Sequence, residues 1–415
     1  MNKVFLKLVK NFSAMNLALC LLCVNCTPPV KNGEEDSGVR ELDIMATIFD
    51  NRKINLSAIA SNIEYCLLET DEKCLVTPHM AVYCTKDYVV TIGNDRPSHA
   101  VCYVFDRKTG KFVRQISRQG QGPGEYTEVI SSFWDGKKEQ VCVWGNMKYL
   151  FYNLNGTLSH ETNKFKPHIL DFIAFDDYYV GYVPNSFGNS TIRIAFYDKN
   201  GALMDSIPNY RSWKKTQSWY TVNSDGWLYV FRDNLFYKDI YCDTLYHIKD
   251  FTLQPKYIFN TGGKTVPYEI QEGGQYDLMA AITGGESDRY EKYIIIGKIF
   301  EDIKYLYFTI KHRKLLYPAV YDKEENKLQI MPHASIPRPS RDWRIPLYGF
   351  ENDLDEGLPF WPQQMISEKE MMCVYTAEEL LDLDSLKITD AKLKNVLNSL
   401  DEDSNPVVAI VTLKE

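Results

Sequence analysis

Apolar and polar residues alternate along much of this chain in short runs, and turn-forming residues separate the runs. In residues 101–116, Val101, Tyr103 and Phe105 occupy every second position, and residues 106–110 interrupt the run before apolar residues resume. A two-residue period is typical of a strand with one buried face. Two such runs joined by a short turn predict a β-hairpin over this segment.

The same hairpin pattern recurs along the chain. The aromatic residues that mark it lie 47, 45, 44 and 80 residues apart: Phe105, Tyr152, Tyr197, Tyr241 and Tyr321. A period in the forties with several strands per unit is typical of a β-propeller, in which each blade is a small antiparallel sheet. The longest interval predicts an insertion, which we assign to residues 260–289 because they are rich in glycine and polar groups.

These repeats predict six blades. We place them at residues 79–118, 128–165, 169–208, 218–259, 290–335 and from residue 346 onward. Residues 54–68 open with a helical turn and end in a strand-like run, and residues 406–413 are strand-like throughout. Pairing of these two ends in the sixth blade closes the ring and removes two exposed edges. Residues 377–400 have apolar positions at helical spacing. The predicted fold class is all-β: a six-bladed β-propeller with N- and C-terminal strands closing the last blade and a small helical insertion near the C-terminus.

The first residues of the chain predict export. Lys3, Lys7 and Lys10 precede the mostly apolar residues 12–24, which are too few to span a bilayer comfortably. We assign lipidation to Cys26, because it ends this run in a sequence that resembles the lipobox of bacterial lipoproteins. An ordinary cleaved signal or an anchor helix is the alternative. The predicted divisions are a signal with its lipidation site (1–26), a tether (27–50) and the propeller (51–415).

The charge balance limits the expected partners. The chain has 47 Lys and Arg against 55 Asp and Glu, a formal net charge of −8. Nucleic acids and anionic membranes require a basic face, so we expect no nucleic acid and membrane contact through the lipid anchor only. We expect a single monomeric domain. Its seven cysteines beyond the leader form no CxxC pair, and disulfides from Cys66 to Cys74 or from Cys84 to Cys102 are open possibilities.

Several segments together resemble a known family. They are RQGQGPGEY at residues 118–126, YCDTLY at 241–246, NDLDEG at 352–357 and NPVVAIVTLK near the end. The chain is similar over most of its length to the six-bladed β-propeller lipoproteins found in the envelopes of gut-type Gram-negative bacteria. Cys242 and Glu356 depart from the pattern. The resemblance implies a lipid-anchored protein of the periplasm or outer-membrane surface, and it implies no assigned activity.

The glycine-rich segment 120–124 is the first candidate site. It suits a phosphate cradle poorly, because Pro123 removes a backbone donor and strand-like sequence follows. A tight connection between two blades is the simpler interpretation. If this connection faces the pore, its polar side chains are ligand-binding candidates: Arg118, Gln119, Gln121, Glu125 and Tyr126. Trp361 is a further candidate, since an exposed aromatic face stacks on sugar rings; the alternative is that it fills a gap between blades.

A second candidate lies in residues 352–357. Asp353 and Asp355 carry oxygens at short spacing, as a divalent cation such as calcium prefers, but the full EF-hand pattern is missing. A solvated acidic turn is the alternative. We expect no cofactor other than calcium.

No linear catalytic motif is present in the sequence: it has no GxSxG and no HExxH. The first hypothesis is therefore a non-catalytic binding or scaffolding module for a glycan, a peptide or an envelope protein, with the ligand at the pore mouth. The alternative is a hydrolase or lactonase-like propeller enzyme with a divalent cation in its central channel. Fold alone does not decide between them.

Overall fold

The structure is a computed structural model. It describes residues 38–414 apart from residues 79, 97–98, 117–118, 123, 128, 146–147, 164, 168, 170–171, 186, 214–225, 274–289, 336–346 and 384–387. Residues from Val39 onward form one compact unit. The predicted export signal and the predicted lipidation site, Cys26, lie outside the described residues.

An N-terminal segment precedes the first blade. It contains β1 (Arg40–Asp43), α1 (Ile44–Thr47), a short 3-10 helix (Leu56–Ala58) and β2 (Ala60–Leu67). Five blades then follow in chain order, each built from consecutive antiparallel strands.

Blade 1 contains β3 (Ala81–Cys84), β4 (Tyr88–Arg96), β5 (His99–Asp106) and β6 (Phe112–Ile116), and blade 2 contains β7 (Val129–Asp135), β8 (Gln140–Gly145), β9 (Lys148–Asn153) and β10 (Leu158–Asn163). Blade 3 contains β11 (Phe172–Phe175), β12 (Tyr178–Tyr182), β13 (Ile192–Asp198) and β14 (Leu203–Pro208). Blade 4 contains β15 (Gly226–Phe231), β16 (Asn234–Asp239), β17 (Thr244–Lys249) and β18 (Thr252–Asn260), and a second 3-10 helix (Tyr268–Gly273) follows it. Blade 5 contains β19 (Ile295–Glu301), β20 (Tyr305–His312), β21 (Leu315–Asp322), β22 (Lys327–Ile330) and β23 (Ala334–Ser335).

The sixth blade joins the two ends of the chain. It contains β24 (Gln364–Ser367), β25 (Glu370–Tyr375), β26 (Val407–Leu413) and, as its outermost strand, β2. Ala409 of β26 faces Tyr65 of β2 on one side and Cys373 of β25 on the other. Between β25 and β26 lie α2 (Ala377–Leu381) and α3 (Ala391–Asn398). The predicted closure by both termini and the helical insertion are confirmed.

The six blades form a closed ring. First strands of neighbouring blades contact each other from β24 to β3, β7 to β11, β11 to β15, β15 to β19 and β19 back to β24, and blade 1 contacts blade 2 through its second strand, from β4 to β7. The first strands therefore lie innermost, around the axis of the propeller. Central strands are buried on both faces, as in β20, where Phe308 packs toward blade 4 and Tyr307 toward blade 6. This arrangement explains why such strands are almost continuously apolar.

Residues 40–50, the first part of the N-terminal segment, form a strap around the outside of blades 4 and 5. Strand β1 pairs in parallel with β18, so that Arg40 lies opposite Tyr257. Leu42 and Ile44 are 1% and 0% exposed in the core that those blades share. Residues 40–50, which the sequence assigns to the tether, therefore belong to the propeller, because their apolar side chains cover an edge that blade 4 would otherwise expose.

A buried ion pair joins blades 3 and 4. The Arg193 guanidinium on β13 donates from Nη2 to Oδ2 of Asp239 at 2.8 Å and from Nε to the Tyr237 hydroxyl at 2.6 Å. A third donor, Nη1, binds the Tyr182 hydroxyl at 2.8 Å. The two charged side chains are only 7% and 8% exposed. Because each charge has partners, the pair fixes the two blades in one register.

The cysteines of the propeller are free thiols. Cys66, Cys74, Cys84 and Cys102 are all buried and none is bridged. Both suggested disulfides are therefore wrong: these side chains serve as small apolar groups between the sheets. Burial raises the pKa of the Cys66 thiol to about 11.

Candidate functional site

A cleft of about 630 Å³ opens where the innermost strands of blades 6, 1 and 2 end. We call it the channel-mouth cleft. Its lining residues are Cys84, Thr85, Lys86, Trp134, Gly136, Glu139, Gln364, Met365, Ile366, Ser367, Lys369, Glu370 and Thr412. They lie on the face of the propeller where the first strand of each blade turns into the second. The volume is in the range of small-molecule sites.

Two sets of contacts hold the walls of this cleft in place. The Gln364 side chain accepts from the backbone N of Cys84 at 2.7 Å and donates to its carbonyl at 2.9 Å, which ties β24 to β3. The Arg107 guanidinium donates to both carboxylate oxygens of Glu370, at 3.1 and 2.6 Å, and to the Thr85 carbonyl at 3.1 Å. These contacts join blades 6 and 1 at the cleft and fix the position of its walls.

Trp134, at the end of β7, supplies the aromatic side of the cleft. Its ring stacks on Tyr83 with a centroid distance of 5.8 Å and an interplanar angle of 23°. Both rings are partly buried against the core between blades 1 and 2. A Cβ atom at Gly136 would lie 3.3 Å from Nε1 of Trp134. Tyr83 therefore holds the indole on one side, and the indole nitrogen lies close to the turn that contains Gly136.

The cleft is lined by charges of both signs. Lys86 and Lys369 contribute two positive charges, and Glu139 and Glu370 contribute two negative charges. Glu370 is already paired with Arg107, so one positive charge is in excess. Lys86 and Glu139 have no ion-pair partner among the described residues, and both are exposed. The cleft therefore presents both hydrogen-bond donors and acceptors, and its charges are mixed.

Ion pairs connect the turns beside the cleft. Arg232, in the turn from β15 to β16, donates to both carboxylate oxygens of Glu368 at 2.7 and 3.2 Å. Glu368 lies between the cleft residues Ser367 and Lys369, so this contact joins blade 4 to a blade that is not its neighbour in the ring. The hydrogen bonds from Arg232 hold the pKa of Glu368 below its ordinary value. The turn that forms one rim of the cleft is thereby anchored across the channel mouth.

The glycine-rich connection lies away from this cleft. It precedes β7, whereas Trp134, Gly136 and Glu139 of the cleft lie at the other end of that strand and in the turn after it. Gln119 donates to the Thr127 carbonyl at 2.8 Å, and Glu125 accepts from the backbone N of Gly122 at 2.8 Å. Tyr126 is 0% exposed in the core between blades 1 and 2. These contacts build the connection itself.

The ligand-binding role predicted for residues 118–126 and Trp361 stays a prediction. Gln121 is exposed in the same turn, and Arg118 lies outside the described residues. Trp361, the remaining ligand-binding candidate, is 7% exposed and stacks on Phe350 at 5.9 Å. That packing matches the alternative in which the indole fills the gap between blades 5 and 6.

The acidic segment 352–357 joins the last blade to the N-terminal segment. Asp353 accepts from the backbone N and hydroxyl of Ser57, at 2.8 and 2.5 Å. Asp355 accepts from the Asn352 amide at 2.6 Å, and burial raises the pKa of this carboxyl. Within the part of the chain that the structure describes, no three His, Cys, Asp or Glu side chains are grouped as for a metal ion. A calcium site at Asp353 and Asp355 stays a prediction.

The described helices are short. None of them is long and apolar enough to cross a membrane.

Comparison with known proteins places the chain in a family. A family model described as a domain of unknown function (DUF4934) matches residues 39–412, so the chain belongs to that family. No curated protein matches the sequence.

Two solved structures share the fold. A candidate exported protein from Bacteroides fragilis is 20% identical with a TM-score of 0.64, over 88% of this chain and 98% of its own. A member of the DUF4221 family from Bacteroides vulgatus is 12% identical with a TM-score of 0.50, over 86% of this chain and 97% of its own. At these identities the likeness shows the propeller fold.

Proposed function

We propose that this member of the DUF4934 family is an envelope binding module that takes a small polar ligand in the channel-mouth cleft. The main support for the proposal is that hydrogen-bonded side chains fix the shape of the cleft. Gln364 and Arg107 connect its walls, and Trp134 stacks on Tyr83 at its side. Sites for small ligands combine such an apolar surface with a few oriented polar groups. No reaction step is needed to account for the lining residues.

The proposed binding is testable by thermal unfolding of residues 27–415 with a panel of uncharged tetrasaccharides, tetragalacturonate and tetrapeptides. A ligand at 100 times its Kd stabilises the folded state by about 2.7 kcal/mol. For a chain of this length, that corresponds to a rise in Tm of roughly 3 °C. We expect at least one class of probe to give this shift.

A variant that fills the cleft makes the test specific. Ser367→Trp places an indole in the opening and is expected to abolish the shift, whereas Lys199→Trp, in an exposed turn of blade 3, is expected to keep it. A shift that survives in Ser367→Trp would assign the ligand to another surface. A panel that stabilises none of the proteins would contradict the proposed function.

We also propose that the protein is exported and lipid-anchored through Cys26. The charged and apolar leader supports this, and a structure of the same fold is described as a candidate exported protein. Cells that express the full chain should incorporate an alkyne-labelled fatty acid into it. Cys26→Ala is expected to lose the label and Cys23→Ala to retain it. A label retained in Cys26→Ala would refute this anchor site.

A further inference from the structure

The aromatic and polar groups of the cleft occupy different sides of it. Tyr83 covers one part of the Trp134 indole, and the remaining part lines the opening. The face of an aromatic ring carries partial negative charge and attracts weakly positive C–H groups as well as apolar surface. A ring that is fixed from behind loses little conformational freedom on binding. Trp134 is therefore prepared to stack on a flat ligand.

The polar rim requires a ligand that donates and accepts hydrogen bonds together. Lys86 only donates, and ionised Glu139 only accepts. The Ser367 hydroxyl accepts from the backbone N of Lys369 at 3.2 Å and keeps its own proton for donation. A hydroxyl group on the ligand satisfies any of these side chains, because it is donor and acceptor at once.

The mixed charges of the cleft select among polar ligands. Two lysines and two glutamates line the cleft, and because Arg107 neutralises Glu370, an excess of one positive charge remains. Sites for phosphates or polyanionic chains concentrate several Arg and Lys side chains without acidic neighbours. The channel-mouth cleft has no such concentration, since Glu139 lies beside its lysines, and it adds a stacking surface.

We infer that the ligand of the channel-mouth cleft is an uncharged saccharide, with one sugar ring stacked on Trp134 and its hydroxyls bound by Lys86, Glu139 and Ser367. This inference rests on the proposed function, since it names the ligand class of the same site. In this inference Trp134 positions the sugar ring by stacking, and Lys86 and Glu139 select the sugar by hydrogen bonds to its hydroxyl groups.

The test is calorimetric titration of residues 27–415 with the uncharged oligosaccharides cellotetraose, xylotetraose, mannotetraose and triacetylchitotriose. Truncation of Trp134 to alanine removes the ring on which the sugar stacks, and we expect Trp134→Ala to weaken saccharide binding by about 10-fold or more. Trp134→Phe keeps an aromatic face and is expected to retain most of the affinity. Tyr210→Ala removes a ring that is 90% exposed in blade 3 and serves as the matched control with unchanged affinity.

Two further variants test the inference in case Trp134→Ala fails to fold. Lys86→Ala and Glu139→Ala alter exposed side chains, so they are expected to fold and to weaken the same saccharide several-fold. Unchanged affinity in Trp134→Ala and both of these variants would overturn the inference. Binding of tetragalacturonate or tetra-alanine that Ser367→Trp abolishes, with no saccharide bound, would overturn the saccharide class and leave the proposed function standing. Absence of any cleft-dependent binding would refute both.

Discussion

Replacement of Asp239 by alanine is expected to lower the free energy of unfolding by about 3–5 kcal/mol. The reason is that the variant leaves the Arg193 guanidinium, 7% exposed, without its counter-charge inside the interface between blades 3 and 4. The same carboxylate also accepts from the Tyr237 hydroxyl at 3.1 Å and the backbone N of Tyr241 at 2.9 Å, so two further donors lose their partner.

Chemical denaturation of the wild-type protein and the variant measures this loss. Asp205→Ala, an exposed carboxylate on β14, is the control and is expected to change the free energy by less than about 0.5 kcal/mol. The double variant Arg193→Met with Asp239→Leu removes both charges and should recover much of the loss. Equal losses in Asp239→Ala and Asp205→Ala would show that the buried pair does not hold the blades together.

The pair also gives the stability a dependence on pH. Burial alone would raise the pKa of Asp239, but Arg193 and Lys238 hold it below the ordinary value of 3.8. A lowered pKa in the folded state contributes stability above the ordinary value. That contribution disappears as the pH falls through the lowered pKa, and Asp239→Ala should lack this part of the acid transition.

Ala409→Pro is expected to prevent closure of the ring. Ala409 is 0% exposed, and β26 pairs with β25 on one side and β2 on the other. Proline removes a backbone donor and is confined to strand edges in natural sheets. We expect a loss of about 3 kcal/mol or more, from the missing hydrogen bond and the distortion of both ladders.

The control for this variant is Lys392→Pro, in the first turn of α3. That position is exposed, and the first turn of a helix tolerates proline because its N–H groups have no intrahelical acceptor. Its denaturation midpoint should stay close to that of the wild-type protein. If Ala409→Pro had the same midpoint as Lys392→Pro, closure of blade 6 by the C-terminal strand would not be needed for stability.

The blades are predictable from the sequence because their signal is local and repeated. The two-residue alternation around Phe105 and its return at Tyr152 and Tyr197 identify hairpins without any knowledge of their neighbours. Closure follows from β26, whose run of apolar β-branched residues has to be buried on both faces. The order of the blades then follows from the chain.

The strap and the cleft depend on contacts between residues that are far apart in the chain. No local sequence pattern predicts these contacts. Leu42 and Ile44 are too few to form a recognisable hydrophobic period. Their burial depends on packing against blade 4, whose strand β18 lies more than 200 residues later in the chain. Four separate segments of the chain, residues 84–86, 134–139 and 364–370 with Thr412, build the cleft, and ring closure brings them together. The local sequence signal for the cleft is Trp134, a large aromatic residue just before the turn that contains Gly136.

The most direct test of the cleft as the ligand site is a crystal structure of residues 27–415 soaked with the uncharged saccharide that raises Tm most. The account predicts density for a sugar ring against Trp134, with hydroxyls within hydrogen-bond distance of Lys86, Glu139 or Ser367. Density for the saccharide on the opposite face of the propeller, with the channel-mouth cleft empty, would contradict it.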